Sequence, residues 1–196
     1  MRNIEKAITK AIELHAGQTR KGDGKTPYIV HPVEVAMIVS KYLNYEPAVI
    51  AALLHDTVED CNYTFEQVET DFGKDARILV ELLTEDKSIL DYKMRKDMSL
   101  SILQASLKDT NHPYFIKAAD AISNMRSLVG VLREKGNVVW NSFKAGKKDK
   151  IEYYKTILHD TRDFLPPEVF EEYVGLLKDL EYSETFEKPA IGFGQS

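Results

Sequence analysis

Four residues that could take part in metal or acid-base chemistry lie close together in the sequence HDTVED. The pair His55-Asp56 directly follows the apolar run AALL, and the pair Glu59-Asp60 comes one helical turn later. Residues four apart share a face of a helix, so each acidic residue of the second pair falls beside one member of the first. Three carboxylates at a helix end repel one another and the helix dipole, at a cost of about 0.3–1 kcal/mol each. A bound cation would turn this repulsion into attraction.

A cation at this position needs further ligands, and the chain offers two in apolar helical surroundings. His31 precedes Pro32 at the predicted start of a helix, and Asp120 interrupts FIKAADAIS on the side that it shares with Ile116. A carboxylate that points into a core is costly unless it is paired or coordinated. Two imidazoles and two carboxylates suit Mn²⁺, Fe²⁺ or Zn²⁺ better than Ca²⁺. We therefore predict a site for one ion, with Mn²⁺ as the favoured metal, held by His31, His55, Asp56 and Asp120.

The elements that must position these residues have the sequence patterns of helices. Apolar residues recur at three- and four-residue intervals over Ile4–Ile12, which predicts an amphipathic first helix. Pro47 suits the first turn of a helix whose run AVIAALL is apolar nearly all round, so this helix should be central and buried. Thr64 and Gln67 fit a capping box that opens a helix ending near Gly73. Similar periodicity predicts helices in ARILVELL, around 90–107, after Asn111-His112-Pro113 and after Pro166-Pro167. We predict an all-α bundle of roughly eight helices.

Composition narrows the classes of protein to which the chain can belong. With 196 residues, of which 43% are hydrophobic, we expect one domain over residues 1–183 and a flexible tail over 184–196. The net charge of -5 argues against a nucleic-acid or anionic-membrane surface. No apolar run approaches about 18 residues and no signal peptide is visible, so we expect a cytoplasmic protein. The single cysteine cannot form an internal disulfide. Four residues are expected to be structural: His15, Cys61, His112 and His159.

Four stretches, in a fixed order, carry a resemblance to a known family. They are RKGDGKTPYIVHPVEVA, AALLHDTVEDCNYTFEQV, FGKDARILVELLTEDK and IKAADAISNMRSL, and they span roughly residues 5–130. A His-Asp dipeptide alone is common by chance, whereas the ordered set is specific. The sequence resembles the HD-domain phosphohydrolases and, among them, the guanosine tetraphosphate hydrolases of the RelA/SpoT type. The resemblance implies that residues 1–183 form a single HD-type helical domain.

The resemblance also implies roles for individual residues. The four predicted metal ligands would bind Mn²⁺, and they are the residues that spacing selects. Glu59 and Asp60 would assist hydrolysis by a water whose pKa the ion lowers. Arg20 and Lys21 would contact the nucleotide, and Asn124 would contact its sugar or phosphate region. The segment GKKDKIEYY resembles a helix that closes the pocket in small hydrolases of this type, which suggests phosphate or base contacts for Lys148, Lys150 and Tyr154.

The function that the resemblance implies is removal of the alarmone guanosine tetraphosphate (ppGpp) or pentaphosphate (pppGpp). A stand-alone hydrolase without a synthetase domain would release pyrophosphate and leave GDP or GTP. The sequence departs from the family pattern at Cys61 and at Ala121-Ile122-Ser123, which replaces a more basic, His-containing run. Two alternatives stay open: hydrolysis of another nucleotide, such as removal of the 2′-phosphate of NADPH, and alarmone binding without catalysis. Whether the chain forms homo-oligomers is also open.

Overall fold

Helices make up the fold of this chain. The computed structural model describes residues 2–106 and 110–183, and the predicted tail, 184–196, lies outside these ranges. The described residues contain ten α-helices, two 3₁₀ helices (Gly136–Ser142 and Arg162–Phe164) and one isolated β-bridge, between Thr19 and Pro27. The prediction of an all-α bundle is confirmed. The α-helices are α1 (Asn3–Leu14), α2 (Val30–Tyr42), α3 (Glu46–Leu54), α4 (Thr57–Asp60), α5 (Phe65–Phe72), α6 (Lys74–Leu83), α7 (Tyr92–Ser106), α8 (His112–Lys135), α9 (Lys147–Thr161) and α10 (Pro167–Glu181).

Helix α3 is the central element of the bundle. All of its residues over 48–54 are buried, and it packs against α1, α2, α6 and α8. Pro47 lies in its first turn, as predicted. A helix that is apolar all round gains most when neighbours cover every side, at about 25 cal/mol per Å² of apolar surface removed from water. Because α3 ends at Leu54 and α4 begins at Thr57, the junction places His55 and Asp56 at the inner end of a buried helix.

Helix α8 is the longest of the described helices and carries Asp120, the predicted ligand furthest along the chain. It spans 24 residues, with Pro113 in its first turn, and it packs against α2, α9 and α10. Most of its residues over 113–132 are buried, and these include the polar residues Lys117 and Ser123. Asp120 lies about a third of the way along this helix. The helix ends before Gly136, whose φ of +69° stops the helical path.

The predicted capping box opens α5. The Thr64 side-chain oxygen accepts a hydrogen bond from the Gln67 backbone N–H at 3.2 Å. The Gln67 side-chain oxygen in turn accepts one from the Thr64 backbone N–H at 2.9 Å. These two bonds satisfy N–H groups that have no partner within the helix. Gly73, with a φ of +89°, separates α5 from α6, so the predicted end of α5 is also confirmed.

The loop between α1 and α2 is ordered by its own hydrogen bonds. The Arg20 N–H donates to the Thr26 carbonyl oxygen at 2.9 Å. Asp23 accepts hydrogen bonds from Thr26, and these bonds lower the pKa of the Asp23 carboxyl to about 2. A Cβ atom added at Gly22 would lie 3.2 Å from a methyl group of Val131, so this loop closely approaches α8. In the described ranges, no helix combines the length and the apolar character needed to cross a lipid bilayer.

Candidate metal centre and substrate cavity

The four predicted metal ligands lie together between α2, α8 and the junction of α3 with α4. One ligand atom each from His31, His55 and Asp56 lie within 4.8 Å of one another. Asp56 Oδ2 is 3.6 Å from His31 Nε2 and 3.1 Å from His55 Nε2. Asp120 Oδ1 is 3.2 Å and 3.8 Å from the same two nitrogens. Ligand atoms about 2.0–2.2 Å from a shared ion lie about 2.8–3.6 Å apart at octahedral or tetrahedral angles. His31, His55 and Asp56 are therefore close enough together for one transition-metal ion, and Asp120 adjoins both imidazoles, slightly further from His55 than this range.

Both imidazoles present Nε2 to the shared centre because Nδ1 is engaged elsewhere. His55 Nδ1 lies 2.8 Å from the carbonyl oxygen of Ala52, an acceptor, so Nδ1 carries the ring hydrogen. His31 Nδ1 lies 2.9 Å from the hydroxyl oxygen of Ser123. Within the described part of the chain, the buried His55 Nε2 has no hydrogen-bond partner. A buried polar nitrogen without a hydrogen-bond partner requires an explanation, and coordination of an ion in place of a proton would supply it.

Burial and charge have opposing effects on the ligands. Burial lowers the pKa of His31. Burial also acts to lower the pKa of His55, but the carboxylates of Asp56 and Asp120 outweigh it and raise that pKa to about 9. The pKa values of the Asp56 and Asp120 carboxyls are both lowered, although burial acts to raise them. At Asp56 the positive charge of His55 outweighs burial, and at Asp120 the Lys117 ammonium does so. Two ionised carboxylates thus face the two rings, and a divalent cation bound there would take the place of the proton that the carboxylates hold on His55.

Further hydrogen bonds hold the two carboxylates in place. The Tyr28 hydroxyl donates to Asp56 Oδ2 at 2.5 Å, and Asn124 Nδ2 donates to Asp120 Oδ1 at 2.5 Å. Arg20 Nη2 donates to Asn124 Oδ1 at 2.9 Å. The structure therefore places two predicted substrate contacts, Arg20 and Asn124, directly beside the metal ligands. Tyr28 was not predicted, although its position three residues before His31 in PYIVHP was an available signal.

Glu59 and Asp60 lie beside the ligand cluster, and both pair with the ammonium group of Lys87. Lys87 Nζ is 3.4 Å from Glu59 Oε1 and forms an ion pair with Asp60. Glu59 Oε2 accepts a hydrogen bond from the Glu85 backbone N–H at 3.2 Å. Burial and the negative charges of Glu85 and Asp56 raise the pKa of Glu59, and Lys87 opposes this rise. A carboxylate with a raised pKa exchanges protons nearer to neutral pH, as general acid-base catalysis requires.

These groups open into a cavity of 580 Å³. This volume lies within the range of about 300–1,000 Å³ that is usual for small-molecule sites. Lys148 is exposed and is not among the residues that line the cavity. Nine of the predicted residues do line it: Arg20, Lys21, Asp56, Glu59, Asp60, Asp120, Asn124, Lys150 and Tyr154.

A cluster of buried charges, not predicted from the sequence, forms another part of the wall. Glu85 is only 7% exposed; it forms ion pairs with Lys96 and, at 3.2 Å, with Arg95, and it lies 3.8 Å from Lys117. Lys117 Nζ is also 3.5 Å from Asp120 Oδ2. Burial acts to raise the pKa of Glu85, but the lysine charges outweigh it and lower the pKa. The cluster therefore connects the metal ligands to the cationic side of the cavity.

Lys150, on α9, faces this cationic side. Burial and the positive charges of Lys96 and Lys21 lower the pKa of Lys150 to about 8. Its Nζ lies 4.4 Å from the centre of the Phe143 ring, whose face attracts a cation. Lys150 thus lies close enough to the positive charges of Lys96 and Lys21 to feel them, and an anionic group of a ligand between the three side chains would be favoured. Burial raises the pKa of Tyr154, one turn further on, so its hydroxyl stays neutral.

Two of the residues expected to be structural, His15 and Cys61, share an unforeseen contact. His15 Nδ1 lies 2.8 Å from Gln18 Oε1 and 3.3 Å from Cys61 Sγ. Burial raises the pKa of the Cys61 thiol, so the thiol stays protonated at neutral pH. His112 stacks on Tyr45, with ring centres 4.6 Å apart. These contacts agree with structural roles.

Comparison with known proteins identifies the family. The sequence profile of the HD domain matches residues 7–149. The guanosine-3′,5′-bis(diphosphate) 3′-pyrophosphohydrolase MESH1 of Xenopus tropicalis is 40% identical over 127 residues, which cover 64% of this chain and 69% of that protein. A GTP pyrophosphokinase of Streptomyces coelicolor is 39% identical over 138 residues, which cover 69% of this chain but 16% of that protein. A solved structure, described as a metazoan ortholog of SpoT that hydrolyzes ppGpp, matches with a TM-score of 0.71 and 26% identity, over 95% of this chain and 98% of that one. The resemblance is thus confirmed, and this chain belongs to the HD-domain family.

Proposed function

We propose that this chain is a metal-dependent phosphohydrolase that converts ppGpp or pppGpp into GDP or GTP and pyrophosphate. The observation that carries the proposal is the compact group of His31, His55 and Asp56, with Asp120 Oδ1 3.2 Å from His31 Nε2, beside a cavity with a lysine- and arginine-rich wall. A nucleotide with phosphate groups at both its 3′ and 5′ positions offers anions to both regions. The names of the relatives support this substrate, since MESH1 and the metazoan SpoT ortholog are both described as acting on it.

His31, His55, Asp56 and Asp120 are the ligands of the ion in this proposal. Neutral imidazole and carboxylate ligands suit Mn²⁺, Fe²⁺ and Zn²⁺, and we favour Mn²⁺. When bound, such an ion lowers the pKa of a coordinated water from 15.7 towards about 7 and so supplies a nucleophile at neutral pH. The Nδ1 contacts of the two histidines turn both Nε2 atoms towards the carboxylates, where they would bind the ion.

The residues around the ligands then act on the water and on the departing group. Glu59 accepts the proton of the attacking water, a role that its raised pKa supports. The water oxygen bonds to the phosphorus attached to the ribose 3′-oxygen, that P–O bond breaks, and the 3′-oxygen gains a proton as pyrophosphate leaves. Asp60 holds Lys87 beside Glu59. Positive side chains of the wall, Arg20 among them, stabilise the negative charge that develops on the phosphoryl oxygens.

The remaining contacts hold the nucleotide in the cavity. Lys21 and Lys150 lie on the cationic side and attract phosphate groups. Asn124, one helical turn after Asp120, reaches the sugar or its phosphate, and Tyr154 offers a neutral hydroxyl in the same wall. This arrangement leaves the scissile phosphorus beside the metal ligands and the second phosphate group beside the lysines.

A product assay tests this function directly. Purified protein with Mn²⁺ is incubated separately with ppGpp, pppGpp and NADPH, and the products are separated by ion-exchange chromatography. We expect pyrophosphate and GDP from ppGpp, and loss of the reaction in Asp120→Asn. The exposed Asp97→Asn serves as the matched control and should react as wild type. Phosphate from NADPH alone would assign the site to that substrate, and binding of ppGpp without turnover under any divalent metal would make the chain a binding protein.

A further inference from the structure

His31 is linked to a chain of polar side chains that lies behind the metal ligands. His31 Nδ1 is 2.9 Å from Ser123 Oγ, and Ser123 Oγ is 2.6 Å from Glu34 Oε2. Glu34 Oε1 accepts a hydrogen bond from Arg126 Nη1 at 2.7 Å, and Arg126 also pairs with Glu172 at 2.5 Å. The chain joins α2, α8 and α10. Ser123 belongs to the run in which the sequence departs from the family pattern.

The direction of these hydrogen bonds follows from the hydrogens available. The Glu34 carboxylate, paired with the Arg126 guanidinium, can only accept. Ser123 therefore donates its single hydroxyl hydrogen to Glu34, and its oxygen is left to accept from His31 Nδ1. The ring hydrogen of neutral His31 is thus placed on Nδ1. Its Nε2 carries the lone pair and faces Asp56 and Asp120.

We propose that Ser123 and Glu34 are positioning residues that fix the tautomer and ring orientation of His31 and thereby raise the affinity of the site for its ion. This inference rests on the metal site of the proposed function. Metal-ligating histidines commonly donate their second N–H directly to a carboxylate or a carbonyl. Here a serine hydroxyl lies between them, so a carboxylate on α2 acts on a ligand of the same helix through α8.

Removal and conservative replacement of the hydroxyl give the first test. Mn²⁺ is titrated into metal-free protein by isothermal titration calorimetry. Ser123→Ala leaves His31 Nδ1 without its acceptor, and Mn²⁺ affinity should fall by about 10- to 100-fold. Ser123→Thr keeps a hydroxyl on the same atom and should bind Mn²⁺ within about threefold of wild type. Wild-type affinity in Ser123→Ala would overturn the proposal.

Glu34→Gln is the sharper variant because it changes hydrogen-bond direction with little change in shape. The carboxamide oxygen would accept from Arg126, so the NH₂ group would face Ser123 and donate to it. Ser123 would then donate to His31 Nδ1, and the ring hydrogen would move to Nε2, where it blocks the ion. We expect Mn²⁺ affinity to fall as in Ser123→Ala. Glu172→Gln alters the other partner of the same arginine and should bind Mn²⁺ as wild type.

The tautomer of His31 provides a readout that needs neither metal nor activity. In the ¹⁵N NMR spectrum of metal-free protein, His31 Nδ1 should be protonated in the wild type and unprotonated in Glu34→Gln. The same state of Nδ1 in both proteins would overturn the proposal, even if the affinities differ. If wild-type protein fails to bind Mn²⁺, the proposed metal site is wrong. The NMR result still decides whether Ser123 and Glu34 place the ring hydrogen of His31.

Discussion

Glu59 combines a position in the cavity wall, beside the metal ligands, with a raised pKa. Glu59→Gln keeps the size and the hydrogen-bonding oxygen of the side chain but removes its ability to take a proton. The kcat for pyrophosphate release should therefore fall by about 10²- to 10⁴-fold, the usual contribution of a general base. Mn²⁺ affinity should stay at the wild-type value, because Glu59 is not one of the four ligands. Steady-state kinetics and calorimetric titration measure the two quantities.

Two results would assign a different role to Glu59. Turnover within about tenfold of wild type in Glu59→Gln would move proton transfer to another group, such as Asp60, which pairs with the same lysine. Loss of Mn²⁺ binding in the same variant would make Glu59 a ligand instead. Asp97→Asn, which neutralises an exposed carboxylate on α7, controls for the change in net charge.

Lys150 should give the reaction a limit at alkaline pH. Its pKa of about 8 means that the side chain is charged below pH 8 and loses its charge above it. Because the charged form attracts the phosphate of the substrate, kcat/KM should decline as the pH rises through 8. Lys150→Arg carries a guanidinium that stays protonated, so the decline should move to higher pH. A pH profile of kcat/KM for both proteins checks this.

The lowered pKa of Lys150 also predicts how the stability of the fold depends on pH. The pKa of Lys150 in the folded chain is below that of an unfolded lysine, about 10.4, so the unfolded state binds more protons between these values. The contribution of Lys150 to the free energy of unfolding therefore rises with pH from 8 to about 10.4.

An unchanged pH profile of kcat/KM in Lys150→Arg would mean that another group sets the alkaline limit of the reaction.

At the scale of the elements, α3 carries much of the packing that positions the site. Leu53 is 2% exposed and lies near the end of α3, two residues before His55. Leu53→Ala leaves a cavity in the centre of the bundle and should lower the free energy of unfolding by about 2–5 kcal/mol. Urea denaturation measures this loss. Met37→Ala, at a side chain that is 67% exposed on α2, should change stability by less than about 0.5 kcal/mol.

The features predicted correctly are those that local sequence patterns encode. The all-round apolar run of α3 predicted a central helix, and the spacing of Thr64 and Gln67 predicted the cap of α5. In both cases the physical requirement, burial or a partner for a polar group, acts on residues within one helix. The polar residues His31 and Asp120 were selected in the same way, each within its own apolar run, and their metal-binding role stays a prediction.

Features that depend on contacts between distant elements were not predictable in this way. Ser123 and Glu34 are separated by 89 residues, and no periodicity links them. The Glu85 cluster likewise joins side chains from α7, α8 and the segment after α6. Lys148 and Lys150 were both assigned to the pocket, yet residues two apart point to different sides of a helix. The signal that separates them is Tyr154, which shares a face with Lys150 and is buried.

For the molecule as a whole, the cavity wall has a positive balance of charge although the chain is negatively charged overall. The chain has a net charge of -5, but the cavity wall contains seven lysine and arginine side chains against five aspartate and glutamate side chains. A low-dielectric cleft concentrates the field of such a wall. The distribution therefore favours a small anion that fits inside the cavity over an extended polyanion that would lie across the acidic exterior.

Metal binding should stabilise the entire bundle, because its proposed ligands come from α2, the junction of α3 with α4, and α8. An ion that binds only the folded state adds about 2.7 kcal/mol to the free energy of unfolding at 100 times its Kd. For a chain of this length each kcal/mol raises Tm by about 2–4 °C, so Mn²⁺ should raise Tm by about 5–11 °C and EDTA should reverse the rise. Scanning calorimetry measures both. Asp120→Ala should show no rise, because its ligand set is incomplete, and an equal rise in that variant would place the ion elsewhere in the molecule.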